Sequence, residues 1–192
     1  MAHAFLRAQG IYAEHVIALV RPGNVVPTFA AHQVEAGDLA SWSTDELQIM
    51  IDEGRRQSDR QQADLELIRG RAQWLFAVGL PLIIAIATIR AEFHKTDSCW
   101  WTVPWAISLL ISVYGVLGAA AIMTVRADFD MIDTAALSNH QRPILRKLAD
   151  DYAVMLATGE NTVATRLTVY RQAVVWLIIG GLGALVVWLA VK

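Results

Sequence analysis

Residues 100–125 read WWTVPWAISLLISVYGVLGAAAIMTV, and no charged side chain interrupts these 26 positions. A hydrocarbon core about 30 Å thick is crossed by ~20 apolar residues of helix. This stretch is therefore long enough to span a bilayer with some tilt. Trp100, Trp101 and Trp105 crowd one end, as an interfacial aromatic belt does. Arg126, Asp128 and Asp130 stop the apolar run at the other. Two more apolar segments accompany it. Residues 72–89 (AQWLFAVGLPLIIAIATI) hold Pro81 near their centre, and residues 172–191 run up to Lys192. The expected fold is all-α, an integral membrane protein with three transmembrane helices and a helical cytoplasmic layer.

Composition agrees with that class. Of the 192 residues 55% are hydrophobic and only 18% charged, against about a quarter charged in soluble domains. A net charge of −2 gives no electrostatic footprint for nucleic acid. The single cysteine, Cys99, excludes an intrachain disulfide and a Cys-based zinc site. His3, Arg7, Glu14 and His15 interrupt residues 1–21, which therefore lack the unbroken apolar core of a signal peptide. Insertion is expected to rely on the internal spans.

Outward from the spans, residues 1–21 place Phe5, Leu6, Ile11, Tyr12, Val16, Ile17, Leu19 and Val20 near helical spacing. They predict an amphipathic helix ended by Pro22-Gly23, packed on protein or lying on the membrane surface, and a polar face poor in Lys and Arg favours protein. Residues 22–42 read as loop. WSTDEL at 42–47 then carries a capping box, Ser43 with Glu46, and a candidate hydrophobic staple, Trp42 with Leu47. A serine cap contributes ~1 kcal/mol.

A helix over 44–89 is expected from there, with i,i+4 pairs Asp52/Arg56, Arg55/Asp59 and Arg60/Asp64 on its surface. Its candidate inner stripe is Leu47, Met50/Ile51, Gly54, Ser58, Gln61, Leu65 and Ile68. Two alternatives stand for this segment: a solvated connecting helix, or a helix packed on copies of itself with Ser58 and Gln61 as polar layers. Pro81 is expected to kink the first span. RAEFHKTDSC (90–99) is a short connection, so the first two spans form a hairpin. SNHQRP (138–143) reads as a turn. Another helix is expected over 143–158, capped by Gly159, with Asn161-Thr162 starting the last helix.

The chain thus divides into an N-terminal helix and loop (1–42), a helix continuous with the first span (43–71), a two-span hairpin (72–125), a helical region (126–171) and a third span (172–192). Arg and Lys concentrate before the first span and between the second and third. The positive-inside rule then places the N-terminus in the cytoplasm, the hairpin loop and C-terminus outside, and the chain in the inner membrane. Trp74 and Trp176 are expected at the inner interface, and Trp100, Trp101 and Trp188 at the outer one.

Candidate chemistry is sparse. The three spans contain no Asp, Glu, Lys, Arg or His, the usual markers of proton relays and ion pathways. Ser108, Ser112, Tyr114 and Thr102 have no base at membrane depth, so a serine nucleophile is not expected. These hydroxyls are expected to bond back to their own or neighbouring helices. Asp128, Asp130 and Asp133 fit a solvated helix end better than a cation site. The five histidines, His3, His15, His32, His94 and His140, are scattered and read as surface or cap residues. No enzyme activity, cofactor or metal is expected.

Small residues are the informative constellation. Ser108-xxx-Ser112 and Gly115-xxx-Ala119 lie in the second span, and Gly180-xxx-Ala184 in the third. Such spacing lets helix backbones approach closely. It serves either packing within one three-helix chain or packing between copies. Three helices enclose too little space for a pathway, so any pore needs several copies.

The run Asp64-Leu65-Glu66-Leu67-Ile68-Arg69-Gly70-Arg71-Ala72-Gln73-Trp74-Leu75-Phe76, a charged helix entering a span, resembles small membrane effectors of bacterial conflict systems. These are the SLATT proteins and Pycsar-type transmembrane effectors. The resemblance covers about 100 residues and lies in the layout. It implies a homo-oligomer that permeabilises the inner membrane in antiphage defence, answering a nucleotide signal or a cytoplasmic protein. The third span and the N-terminal extension depart from the two-span pattern, and no Gly-rich phosphate loop is present. The alternative is a structural or accessory subunit of a larger membrane complex.

Overall fold

The computed structural model describes residues 2–21, 28, 39–96, 99–125 and 144–192. Among them are four α-helices and no strand: α1 (Ala2–Ala18), α2 (Thr44–Thr96), α3 (Thr102–Thr124) and α4 (Ile144–Val191). Short 3₁₀ turns cover Leu39–Ser41 and Cys99–Trp101. Helices α2, α3 and α4 are each long and apolar enough to cross a membrane. The expected stop at Pro22-Gly23, the turn at 138–143 and Asp128, Asp130 and Asp133 lie outside the described residues.

Local signals explain the starts. The backbone N–H of Ser43 donates to Glu46 Oε2 at 2.7 Å, and the Glu46 N–H donates to Ser43 Oγ at 3.3 Å. This reciprocal box satisfies N–H groups that a first turn leaves open. α3 starts at Thr102, two residues into the apolar run. Pro104 falls in its first turn, where a missing N–H costs no helical bond. Nothing in residues 90–96 breaks a helix, so α2 continues through Thr96, past the expected end at residue 89.

The larger departure is α4. One helix replaces the expected two, and it passes through Gly159, Asn161 and Thr162 without a break. Gly159 is there for close approach and not for a left-handed cap. A Cβ on it would lie 2.1 Å from Gln61 Oε1.

The chain forms two compact units, and α2 and α4 contribute to both. One contains residues 28–67 and 126–165. Its core is Leu39, Leu47, Ile51 and Ala149, with Met50, Leu145, Leu148 and Tyr152 packed against it. Gly54 lies under the Tyr152 ring, where an added Cβ would be 3.1 Å away. Gln61 is buried, and its Nε2 donates to the Leu156 carbonyl at 3.0 Å. The predicted stripe of α2 is therefore covered from within the chain by α4, and it is not a solvated face. Arg55 and Arg56 choose other partners than the expected ones. Arg56 pairs with Glu53 at 3.5 Å, and Arg55 Nε donates to Tyr152 Oη at 3.4 Å.

The other unit contains residues 1–27, 68–125 and 166–192. Ala72, Gly79 and Ile86 on α2 are buried at seven-residue spacing. On α4 the buried residues Val169, Ala173, Leu177, Gly180, Ala184 and Val187 are spaced by steps of four and three. Both patterns are those of left-handed helix packing. At the hairpin, Trp105 Nε1 donates to the Ile86 carbonyl at 2.7 Å, and the Arg90 guanidinium lies 5.3 Å from the Trp105 ring centre. Large apolar side chains such as Val78, Ile84, Leu110, Leu182 and Val186 point outward and are more than half exposed, a surface suited to lipid and not to water. Trp74 and Trp100 are exposed on it. Trp176 is not, because its ring is half-buried beside Tyr114.

Candidate functional site

The predicted small residues are all buried, and Ser108, Ser112, Gly115 and Gly180 meet at one seam between α3 and α4. Ser108, Ser112, Gly115 and Ala119 are buried on α3, and Gly180 and Ala184 on α4. A Cβ on Gly180 would lie 2.2 Å from Ser112 Oγ, and 2.9 Å from both the Ser108 carbonyl and the Ser112 nitrogen. One on Gly115 would lie 3.0 Å from the Leu177 nitrogen and 3.1 Å from the Ala173 carbonyl. Backbone thus meets backbone with no room for a side chain, which is the small-residue mode of membrane helix association. The seam lies inside a single chain. Ser112 Oγ donates to the Ser108 carbonyl and Ser108 Oγ to the Pro104 carbonyl, each at 2.9 Å. Such back-bonding satisfies a hydroxyl without a partner helix.

Pro81 stands apart. It lies inside α2, which continues through it. It is exposed, as are Ala77 and Ala85 one turn away on either side.

A second cluster closes the C-terminal end of α3. The last four carbonyls of a helix have no partner within it. Here the Val125 N–H takes the Ala121 carbonyl at 2.9 Å. Arg166 of α4 donates from Nη1 to the Ile122 carbonyl at 2.6 Å and from Nη2 to the Val125 carbonyl at 2.5 Å. Arg166 is buried, 3% exposed. Its planar fork reaches two acceptors from one position, which a lysine cannot do.

α1 lies across the same end of α3. Tyr12 is fully buried, and its hydroxyl donates to the Tyr114 carbonyl at 2.8 Å. Gly118 makes this fit possible, since a Cβ there would lie 2.1 Å from Tyr12 Oη. The Tyr12 and Tyr114 rings meet edge to face at 4.9 Å, and Tyr114 meets Trp176 at 5.8 Å. Gln9 Nε2 donates to Gln172 Oε1 at 2.7 Å. Burial pushes the Tyr12 phenol well above its ordinary range.

His15 is buried too, against the expectation of a surface residue; its Nδ1–H donates to the Ile11 carbonyl at 2.8 Å. Desolvation pushes its imidazole below the ordinary value of 6.5, and the Arg166 charge adds to this against the Ile11 hydrogen bond. A group with a depressed folded value binds its proton more weakly folded than unfolded. Stability is then complete above about pH 6.5 and is lost as pH falls through the folded value. Unfolding midpoints should therefore drop on acidification below pH 6.5, and His15→Gln should flatten that part of the profile. An unchanged profile in His15→Gln would assign the acid sensitivity to other groups.

Sequence spacing did not single out Arg166, one of the basic residues between the second and third spans. The signal was present. Extending the buried α4 positions 180, 177, 173 and 169 backward by the same steps reaches 166 and 162. Among the described residues no group of three or more His, Cys, Asp or Glu side chains could hold a metal ion. Compared with known protein families, characterised proteins and solved structures, the chain matches none.

Proposed function

We propose that the chain is a non-enzymatic inner-membrane protein that works as a homo-oligomer, channel-like or membrane-disrupting, as expected of a defence effector. Pro81 carries this reading. A proline within a helix removes the hydrogen bond to the carbonyl four residues earlier, here that of Ala77. In a bilayer a freed carbonyl is satisfied by neighbouring helices or ordered water. Ala77, Pro81 and Ala85 form an exposed face on α2 that none of the described residues covers. A second copy can approach closely there and supply the missing donor. Meanwhile Ser112 and Ala119 are fully buried within the chain, so a conducting path belongs between copies. Positive-inside counting puts the charged helical region in the cytoplasm, where a trigger would act.

The accessory-subunit alternative would dock the small residues of α3 and α4 on another protein. The same chain already occupies those faces, which favours the oligomer through α2.

Cross-linking tests this. In a Cys99→Ala background, Ala85→Cys should give disulfide-linked dimers in native membranes, whereas Leu110→Cys, exposed on α3, should not. Pro81→Ala should keep the oligomer and reduce dye uptake by expressing cells. A monomer in both cysteine variants, with a monomer mass in detergent, would favour the accessory subunit.

A further inference from the structure

The unit containing residues 28–67 and 126–165 holds a cavity of about 470 Å³ between α2 and α4. That volume falls within the roughly 300–1,000 Å³ of small-molecule sites. Its walls are apolar, with Ile49 and Met50 from α2 facing Leu156 and Ala157 from α4. Gly54 also lines it on the α2 side.

The charged residues that line it are all acidic. Glu46, Glu53 and Glu160 are exposed lining residues, and no Lys, Arg or His is among the described residues that line it. Gln57 Nε2 donates to Glu160 Oε1 at 3.0 Å and fixes that carboxylate across the two helices. Ser43 donates to Glu46 from both its N–H and its hydroxyl, which holds the Glu46 carboxyl below the usual range and keeps it ionised. Glu53 pairs with the exposed Arg56 at 3.5 Å, and exposed pairs of this kind are weak, so Glu53 can exchange Arg56 for a bound cation. Trp42, 41% exposed, adds an aromatic lining residue, and aromatic faces attract cations.

We propose that this cavity binds a lipophilic organic cation, with the apolar body between Met50 and Leu156 and the positive charge toward Glu53 and Glu160. Three carboxylates repel phosphate, so a nucleotide is not its ligand. The assignment stands on the cavity alone and does not depend on the oligomer.

Tetraphenylphosphonium and tetraphenylborate are suitable probes, being alike in shape and opposite in charge. Calorimetric titration of the full chain in non-ionic detergent, corrected with empty micelles, should show one saturable tetraphenylphosphonium site per chain and none for tetraphenylborate. Glu53→Gln with Glu160→Gln should weaken binding about ten-fold, as expected for two partly screened charges. Ala157→Phe should abolish it by filling the cavity while helicity by circular dichroism stays unchanged. Equal binding of both ions, or binding insensitive to both variants, would overturn the proposal. So would failure of the phosphonium to bind while a lysine-flanked amphipathic peptide binds in a Glu53- and Glu160-dependent way, which would make the groove a protein-docking surface.

Discussion

Gly180→Leu should be the most damaging single substitution in the chain. The new Cβ alone would sit 2.9 Å from backbone atoms of Ser108 and Ser112, and backbone cannot turn aside as a side-chain end can. α3 and α4 must then separate along the seam. Over-packing costs about 1–3 kcal/mol where a core can adjust, and this site should lie at roughly 3 kcal/mol. Gly115→Leu should follow closely, because the Leu177 nitrogen and Ala173 carbonyl confront it. Gly183→Ala should be milder, since the nearest atom is the movable Ser108 Oγ. Gly70 supplies the opposite control. Nothing lies within 4 Å of a Cβ there, so Gly70→Ala should stabilise α2 by up to ~1 kcal/mol through helix propensity. Unfolding in mixed micelles, followed by circular dichroism, orders the four variants. A Gly180→Leu protein as stable as the parent would mean that the two helices are not in backbone contact.

Arg166→Met should have the next largest effect. It keeps an unbranched apolar stem but leaves the Ile122 and Val125 carbonyls without their donor. Hydrogen bonds to a charged group contribute about 1.5–3 kcal/mol each, and a buried acceptor without a partner costs about 1–3 kcal/mol. Release from burying the cation offsets part of this, so a net loss of roughly 2–3 kcal/mol is expected. Arg166→Lys should recover less than half, because an ammonium lacks the fork. A second readout separates this role from simple packing. Removing the Arg166 charge should let the His15 imidazole rise back toward its ordinary value, since that charge helps depress it. The acid limb of the stability profile should then become shallower in Arg166→Met. Unchanged His15 titration with reduced stability would mean that Arg166 acts only through α3.

Much of the architecture was legible in residues alone. Hydropathy over 72–89, 100–125 and 172–191 marked three membrane-length helices, because burial in lipid demands a long apolar run that no other context requires. The Ser43/Glu46 box marked the start of α2, because capping depends only on residues within one turn. The same local logic misread Gly159. A glycine after a helical pattern signals a cap when only the chain's own backbone is considered, and here a neighbouring helix had claimed it for close approach to Gln61. His15 and Arg166 were misread for a related reason. Their burial comes from other helices, Arg166 reaching α3 across 44 residues of chain and α1 meeting α3 across 102, and although the spacing of α4 includes position 166, nothing local to the sequence says that the side chain there finds its partners on α3.

By itself the sequence determined the all-helical class, the three apolar helices and the residues small enough to let helices touch. Those properties are set by each residue's own transfer free energy, volume and local hydrogen bonding. Only the tertiary structure decided which surfaces the small residues serve. Ser108, Ser112, Gly115 and Gly180 close a seam within one chain, whereas Ala77, Pro81 and Ala85 remain outside it. Small side chains permit close approach on any face of a helix, and which face is used depends on where the other helices lie.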